Sequence, residues 1–172
     1  QLLYLKPTQI LPILCLVSNL RNTGKSTFLK WLKNIFEYNM TFLTNNDFSS
    51  QFNQDYTDKT VIAVDEVLFK TDELTERIKY LSTTNTHKTE AKGKDKKENP
   101  FFGKFILCSN NETNFIKIDA LEIRFWVLKI EKYQSEDVDF LDKLTKEIPA
   151  FLFFLSNRKL STENQSRMWF LP

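Results

Sequence analysis

The sequence predicts an α/β sandwich with a mainly parallel central sheet flanked by helices. Short apolar runs recur along the chain at Ile13–Val17, Met40–Leu43, Val61–Val64, 105–108 and 125–130. The first and third are nearly continuous rather than alternating, the pattern of strands covered on both faces. Segments of helical period lie between the runs, and strands alternating with helices argue for one layered α/β architecture.

The elements follow in order. From Ser26 the apolar residues Phe28, Leu29, Leu32, Ile35 and Phe36 recur at helical spacing, with Lys30 and Lys33 on the other side. Asp72–Leu81 has the period of an amphipathic helix, and 140–155 reads as helical with a break at Pro149. Between them, 83–103 is polar, lysine-rich and too long for an ordinary connection. A chain of 172 residues with 41% hydrophobic content can bury one core. We therefore expect one domain at 1–155 and a tail at 156–172, leading into a downstream segment, and the initial Gln suggests a processed piece or an excised segment of something larger.

The formal net charge of +2 names no partner, so a basic surface would have to come from local clustering of lysines. Cys15 and Cys108 sit inside apolar runs and read as core thiols. No leader pattern opens the chain and no apolar run is long enough to span a bilayer, which predicts a cytosolic protein.

The run Asn19-Leu20-Arg21-Asn22-Thr23-Gly24-Lys25-Ser26-Thr27 follows the first strand and opens the first helix. A phosphate-binding loop needs converging backbone N–H groups, a helix N-terminus behind them, a lysine for the β and γ phosphates and a hydroxyl for magnesium. Thr23-Gly24-Lys25-Ser26 supplies them, which predicts binding of ATP and Mg2+ through Asn22, Thr23, Gly24, Lys25, Ser26 and Thr27. The pattern departs at Asn19, where glycine is usual; asparagine tolerates the left-handed backbone better than other residues with a side chain. The strand Val61–Val64 ends in Asp65-Glu66, suited to an Asp that holds the metal and a Glu that orients the attacking water. Ser109-Asn110 ends another apolar strand, and the Asn110 amide could hold that water or form a simple turn. The stretch 87–100 carries five lysines against three acids, either a grip on a nucleic-acid backbone or a solvated loop, with Gly93 as a candidate hairpin tip. His87 has no ligand set around it, Arg124 reads as a finger for a neighbouring subunit's nucleotide or a partner of Glu122, and the phenylalanines read as core.

Asn22-Thr23-Gly24-Lys25-Ser26-Thr27, Val64-Asp65-Glu66, the lysine-rich segment and Leu107-Cys108-Ser109-Asn110, in this order, resemble the superfamily 3 helicases, above all the primase-helicases of phages and mobile elements. The similarity runs from residue 14 to 130, and the helical end with Glu147-Ile148-Pro149-Ala150-Phe151-Leu152 also looks like these proteins. The resemblance implies an AAA+-like P-loop ATPase, usually a homo-hexamer, that moves on single-stranded DNA in a bacterial cytoplasm and leaves room for a fused primase domain. It gives phosphate binding to Gly24, Lys25, Ser26 and Thr27, metal and water to Asp65 and Glu66, γ-phosphate sensing to Asn110, and the finger to Arg124. DNA contact falls to the lysines of 88–97, with Lys88, Lys92 and Lys94 as candidates. Two other readings stand beside it: a P-loop small-molecule kinase, which needs no Asp-Glu pair, strand-end asparagine or lysine-rich insertion, and a nucleotide-regulated binding module without motor activity.

If the lysine-rich segment grips DNA, replacing Lys92 and Lys94 with alanine weakens single-stranded DNA binding. Each lost phosphate contact lowers the slope of log affinity against log salt by about 0.7. Affinities measured across a salt series read this slope, and an unchanged slope returns the segment to a solvated loop.

Overall fold

The computed structural model describes residues 8–50, 54–69, 71–89, 95, 97–119, 121–133 and 135–159. Its centre is a five-stranded sheet of β1 (Ile13–Val17), β2 (Met40–Leu43), β3 (Val61–Val64), β6 (Lys104–Ser109) and β7 (Phe125–Lys129), in the order β2-β3-β6-β1-β7. Every pairing is parallel. The sheet is thus wholly parallel, and all five strands deliver their C-terminal ends to one edge. β6 lies between β1 and β3 although it comes last of the three in sequence.

The two faces of the sheet sort the apolar residues by alternation. Ile13, Cys15 and Val17 share one core layer with Ile62, Val64, Phe105 and Leu107. Leu16, Val61, Ala63, Ile106 and Cys108 belong to the other. Helix α1 (Lys25–Phe36) covers this second layer with Leu29 and Leu32, flanked by Phe28, Trp31, Ile35 and Phe36. The first layer is closed by Phe48 from the short helix α2 (Asn45–Ser49), Tyr56 from α3 (Gln54–Thr57), and Ile78 and Leu81 from α4 (Asp72–Leu81). Thr44 starts α2 with a reciprocal capping box to Asp47, and Thr71 starts α4 by accepting from Leu74 N. Both cysteines are buried and free. Burial raises the Cys108 thiol to about 12, helped by nearby Asp65, and raises Cys15 as well, so neither is a ready thiolate.

The segment 83–103 holds a two-stranded antiparallel ladder, β4 (Thr86–Thr89) with β5 (Lys97–Pro100), in which Lys88 faces Glu98. Gly93, the candidate tip, lies outside the described residues. His87 is half-buried at the base of this ladder, with the rings of Tyr56, Tyr80 and Phe101 around it, and burial followed by the Arg77 charge lowers its pKa. The helical end is two helices, α5 (Phe140–Lys146) and α6 (Ile148–Asn157). Pro149 sits in the first turn of α6, where its missing N–H costs nothing. Trp31 Nε1 donates to Leu144 O at 3.2 Å and its ring stands 5.0 Å from that of Phe151, which fastens this end to α1. Among the described residues no helix is long and apolar enough to cross a membrane.

Gly103 joins the ladder to β6, and a Cβ there would stand 2.6 Å from both Ile62 Cδ1 and Phe101 Cζ. Gly103→Ala therefore overpacks the first core layer and should lower unfolding stability by about 1–3 kcal/mol. Urea denaturation of the two proteins measures it, and equal midpoints would show that the core yields without cost.

Candidate functional site

After β1 the chain is held to β6 by Ser18 N donating to Ser109 O at 3.1 Å, and then doubles back into α1. The turn uses two left-handed residues, Asn22 (φ 56°) and Gly24 (φ 82°). Gly24 is also the N-cap of α1 and provides no side-chain acceptor, so the first-turn N–H groups are left to a ligand at the positive end of the helix dipole. Asn19 is not left-handed, which corrects the reason for tolerating asparagine there. Its side chain instead accepts from Glu112 N at 3.1 Å while its own N–H donates to Glu112 Oε1 at 3.0 Å. Glu112 Oε2 also meets Lys129 Nζ at 3.2 Å, so one carboxylate ties the exits of β1, β6 and β7 together. The Asn19 N–H and then Lys129 hold that carboxyl below its usual pKa.

Lys25 is 8% exposed, and its ammonium donates to Thr23 Oγ1 at 2.9 Å. Ser26 Oγ donates to Asp65 Oδ2 at 2.9 Å across 39 positions of sequence. Asp65 closes β3, and its other oxygen accepts from Glu66 N at 3.0 Å. Glu66 is left-handed (φ 56°), a conformation that costs a residue with a side chain on the order of 1–3 kcal/mol. The following residues hold it there: Val67 N donates to Cys108 O at 2.8 Å and Ser109 Oγ donates to Val67 O at 2.9 Å. Asn110 leaves β6, and therefore emerges between the loop after β1 and the acids after β3.

Together these residues line a cleft of about 500 Å³, walled by Asn22, Thr23, Gly24, Lys25, Ser26, Thr27, Asp65, Glu66 and Asn110, with Arg21, Tyr133 and Glu136. Among the described residues no group of three or more His, Cys, Asp and Glu side chains could hold a metal ion by itself. The Ser26 hydroxyl beside the Asp65 carboxylate fits a magnesium ion that takes its remaining ligands from phosphate and water.

Lys88 and Arg124 lie outside the cleft, while Lys92 and Lys94 lie outside the described residues. Arg124 precedes β7, and its carbonyl accepts from Ile13 N, which puts it at the sheet edge opposite the phosphate loop. Its Nε donates to Glu122 Oε1 at 2.7 Å, and Glu122 also approaches the buried Lys79 at 3.8 Å. Sequence reasoning gave no role to Tyr133, Glu136 or Glu112. The first two follow β7 in a segment of unremarkable polarity, and only the strand order brings them to the loop after β1.

The sheet, its crossovers and the cleft at the strand ends define an α/β fold of the P-loop NTPase type. The chain belongs to DUF5906, a family of unknown function whose model matches residues 16–124, from the end of β1 to Arg124. No curated protein matches the sequence. Among solved structures, the apo C-terminal region of NrS-1 (305–718) matches with a TM-score of 0.82 at 21% identity, over 93% of this chain and 40% of that one. An A-form apo structure of the same region matches at 0.74 with 24% identity, over 88% and 37%. This chain thus spans about 40% of the length of the solved structure it matches, and the likeness is one of fold.

Arg124 first, and then burial-opposed help from its charge and Lys79, lowers the Glu122 carboxyl from 4.5 to about 2. Between those values the unfolded chain binds the proton and the folded chain does not, so the contribution of Glu122 is complete above about 4.5 and fades as pH falls toward 2. Glu122→Gln should therefore flatten the decline in stability over that window, read by denaturant midpoints at several pH values; parallel declines would show that other carboxylates set it.

Proposed function

We propose that this chain is the ATP-hydrolysing motor portion of a DNA helicase of the superfamily 3 type, working in phage or mobile-element replication within the bacterial cytoplasm. The carrying observation is the 2.9 Å hydrogen bond from Ser26 to Asp65, which joins phosphate loop and acidic strand end in one cleft with Glu66 and Asn110. A kinase does not need an adjacent Asp-Glu pair and a strand-end asparagine beside the loop, whereas both suit the orientation of an attacking water. The family membership and the fold likeness to the NrS-1 C-terminal region support the reading.

In this reading Lys25 and the first-turn N–H groups of α1 bind the β and γ phosphates of ATP. Ser26 and Asp65 would hold magnesium, which when bound would supply neutralising charge to the phosphates. Glu66 orients the attacking water and accepts its proton, with Asn110 holding that water against the terminal phosphate. Arg124 lies outside its own cleft and pairs there with Glu122, and in this reading it is assigned to the nucleotide of a neighbouring copy in a homo-hexamer. Lys88, exposed on β4, belongs to the lysine-rich segment that this reading assigns to single-stranded DNA, together with Lys92 and Lys94. A fused primase domain belongs to the whole protein in this reading.

Hydrolysis assayed with and without single-stranded DNA tests the proposal: turnover should rise with DNA. Lys25→Ala should abolish it, because the ammonium offsets charge developing on the phosphates. Glu66→Gln should slow hydrolysis while ATP binding survives, and Asp65→Ala should instead weaken magnesium binding, so that more of the ion is needed for turnover. Near-normal turnover in Lys25→Ala would remove the assignment, and identical losses in the two acid variants would remove the division of roles.

A further inference from the structure

The cleft has two sides, and the sheet order separates them. Asp65 and Glu66 emerge from β3, and Asn110 from β6, all on one flank of β1. Tyr133 and Glu136 follow β7, which pairs with β1 on the opposite flank. Neighbouring strands lie about 4.8 Å apart, so the acids of β3 stand two strand spacings from β1 and the β7 exit one spacing the other way. The phosphate loop after β1 sits between. Phosphates held there with their terminal group toward Glu66 and Asn110 must continue into the rest of the nucleotide on the β7 side.

The groups on that side suit a nucleoside and not a phosphate. Tyr133 places its ring edge 3.6 Å from where a Cβ on Gly24 would lie, directly against the loop. It is 45% exposed, which leaves ring surface for a ligand. Glu136 brings a carboxylate, which repels phosphate and accepts hydrogen bonds from hydroxyl groups. Every base has a π face, so stacking on tyrosine tolerates any base, and hydroxyl acceptance by a carboxylate reads the sugar.

We infer that Tyr133 and Glu136 form the nucleoside subsite of this cleft, Tyr133 stacking on the base and Glu136 accepting hydrogen bonds from the ribose hydroxyls. The inference rests on the nucleotide-binding reading above and extends it to substrate choice: the site selects ribonucleotides over deoxyribonucleotides and discriminates little between adenine and guanine. Both residues lie beyond the stretch 16–124 that the family model matches.

The test is equilibrium binding of the 172-residue chain to ATP, GTP, 2′-deoxy-ATP and inorganic tripolyphosphate, the last carrying the phosphates alone. Tyr133→Ala should weaken ATP and GTP alike by about 10-fold, leave tripolyphosphate unchanged, and be rescued by Tyr133→Phe. Wild type should prefer ATP to 2′-deoxy-ATP, and Glu136→Gln should narrow that preference. Equal weakening of ATP and tripolyphosphate in Tyr133→Ala would make the ring a prop for the loop and overturn the stacking role. Unaltered ATP affinity would overturn it too, and an unchanged ribose preference in Glu136→Gln would overturn the sugar contact. In each of these cases intact tripolyphosphate binding by wild type keeps the phosphate loop. Failure of wild type to bind either ATP or tripolyphosphate overturns both readings together.

Discussion

The parallel pairing of β6 between β1 and β3 is the constraint on which the rest of this structure depends. Parallel strands all end at the same edge, and each must be joined to the next by a crossover that covers a face. β1 then ends in a loop and a helix N-terminus, β3 ends in two acids, and β6 ends between them in an amide. If β3 paired directly with β1, Asn110 would have no place between loop and acids. The hydrogen bond from Ser26 to Asp65 is the local expression of that arrangement, and the ties from β6 to Ser18 and Val67 keep both neighbours in register.

Holding charges at such an edge sets a packing demand behind it. The central strands β1, β3 and β6 are buried on both faces, so they supply two apolar layers by simple alternation, and the helices need only one apolar stripe each. This leaves the strand ends free to be polar without opening the core. Lys25 and Thr23 are buried at the edge with each other as partners, while the Cys15 and Cys108 thiols beneath them are held protonated by burial. The acids and the amide stand beside Lys25 and Thr23 as further polar groups lining the cleft.

A second charged group sits at the far edge of the sheet. Glu122 gathers Arg124 and the buried Lys79 at the start of β7, well away from the phosphate loop. In a single copy Arg124 braces its own sheet edge through Glu122 and the Ile13 N–H, and it takes no part in lining the cleft. The exposed Trp126 and Val127 continue along the same edge strand.

The five strands of the central sheet, the first helix and the phosphate-loop motif were legible in the sequence because each rests on local information. Apolar runs such as Ile13–Val17 and Val61–Val64 need burial on both faces, and Gly24 at a helix start answers to one backbone angle. The division of the 140–155 stretch at Pro149 was likewise local, since proline fixes where a helix can begin. What only the tertiary structure decided was adjacency between distant segments. That Asn19 serves Glu112, that Glu66 turns left-handed under restraint from Cys108, that Tyr133 lies against Gly24 and that Glu136 lines the same cleft all follow from strand order. Strand order is set by which crossovers bury the two apolar layers together, a property of the whole chain that no short window of sequence contains.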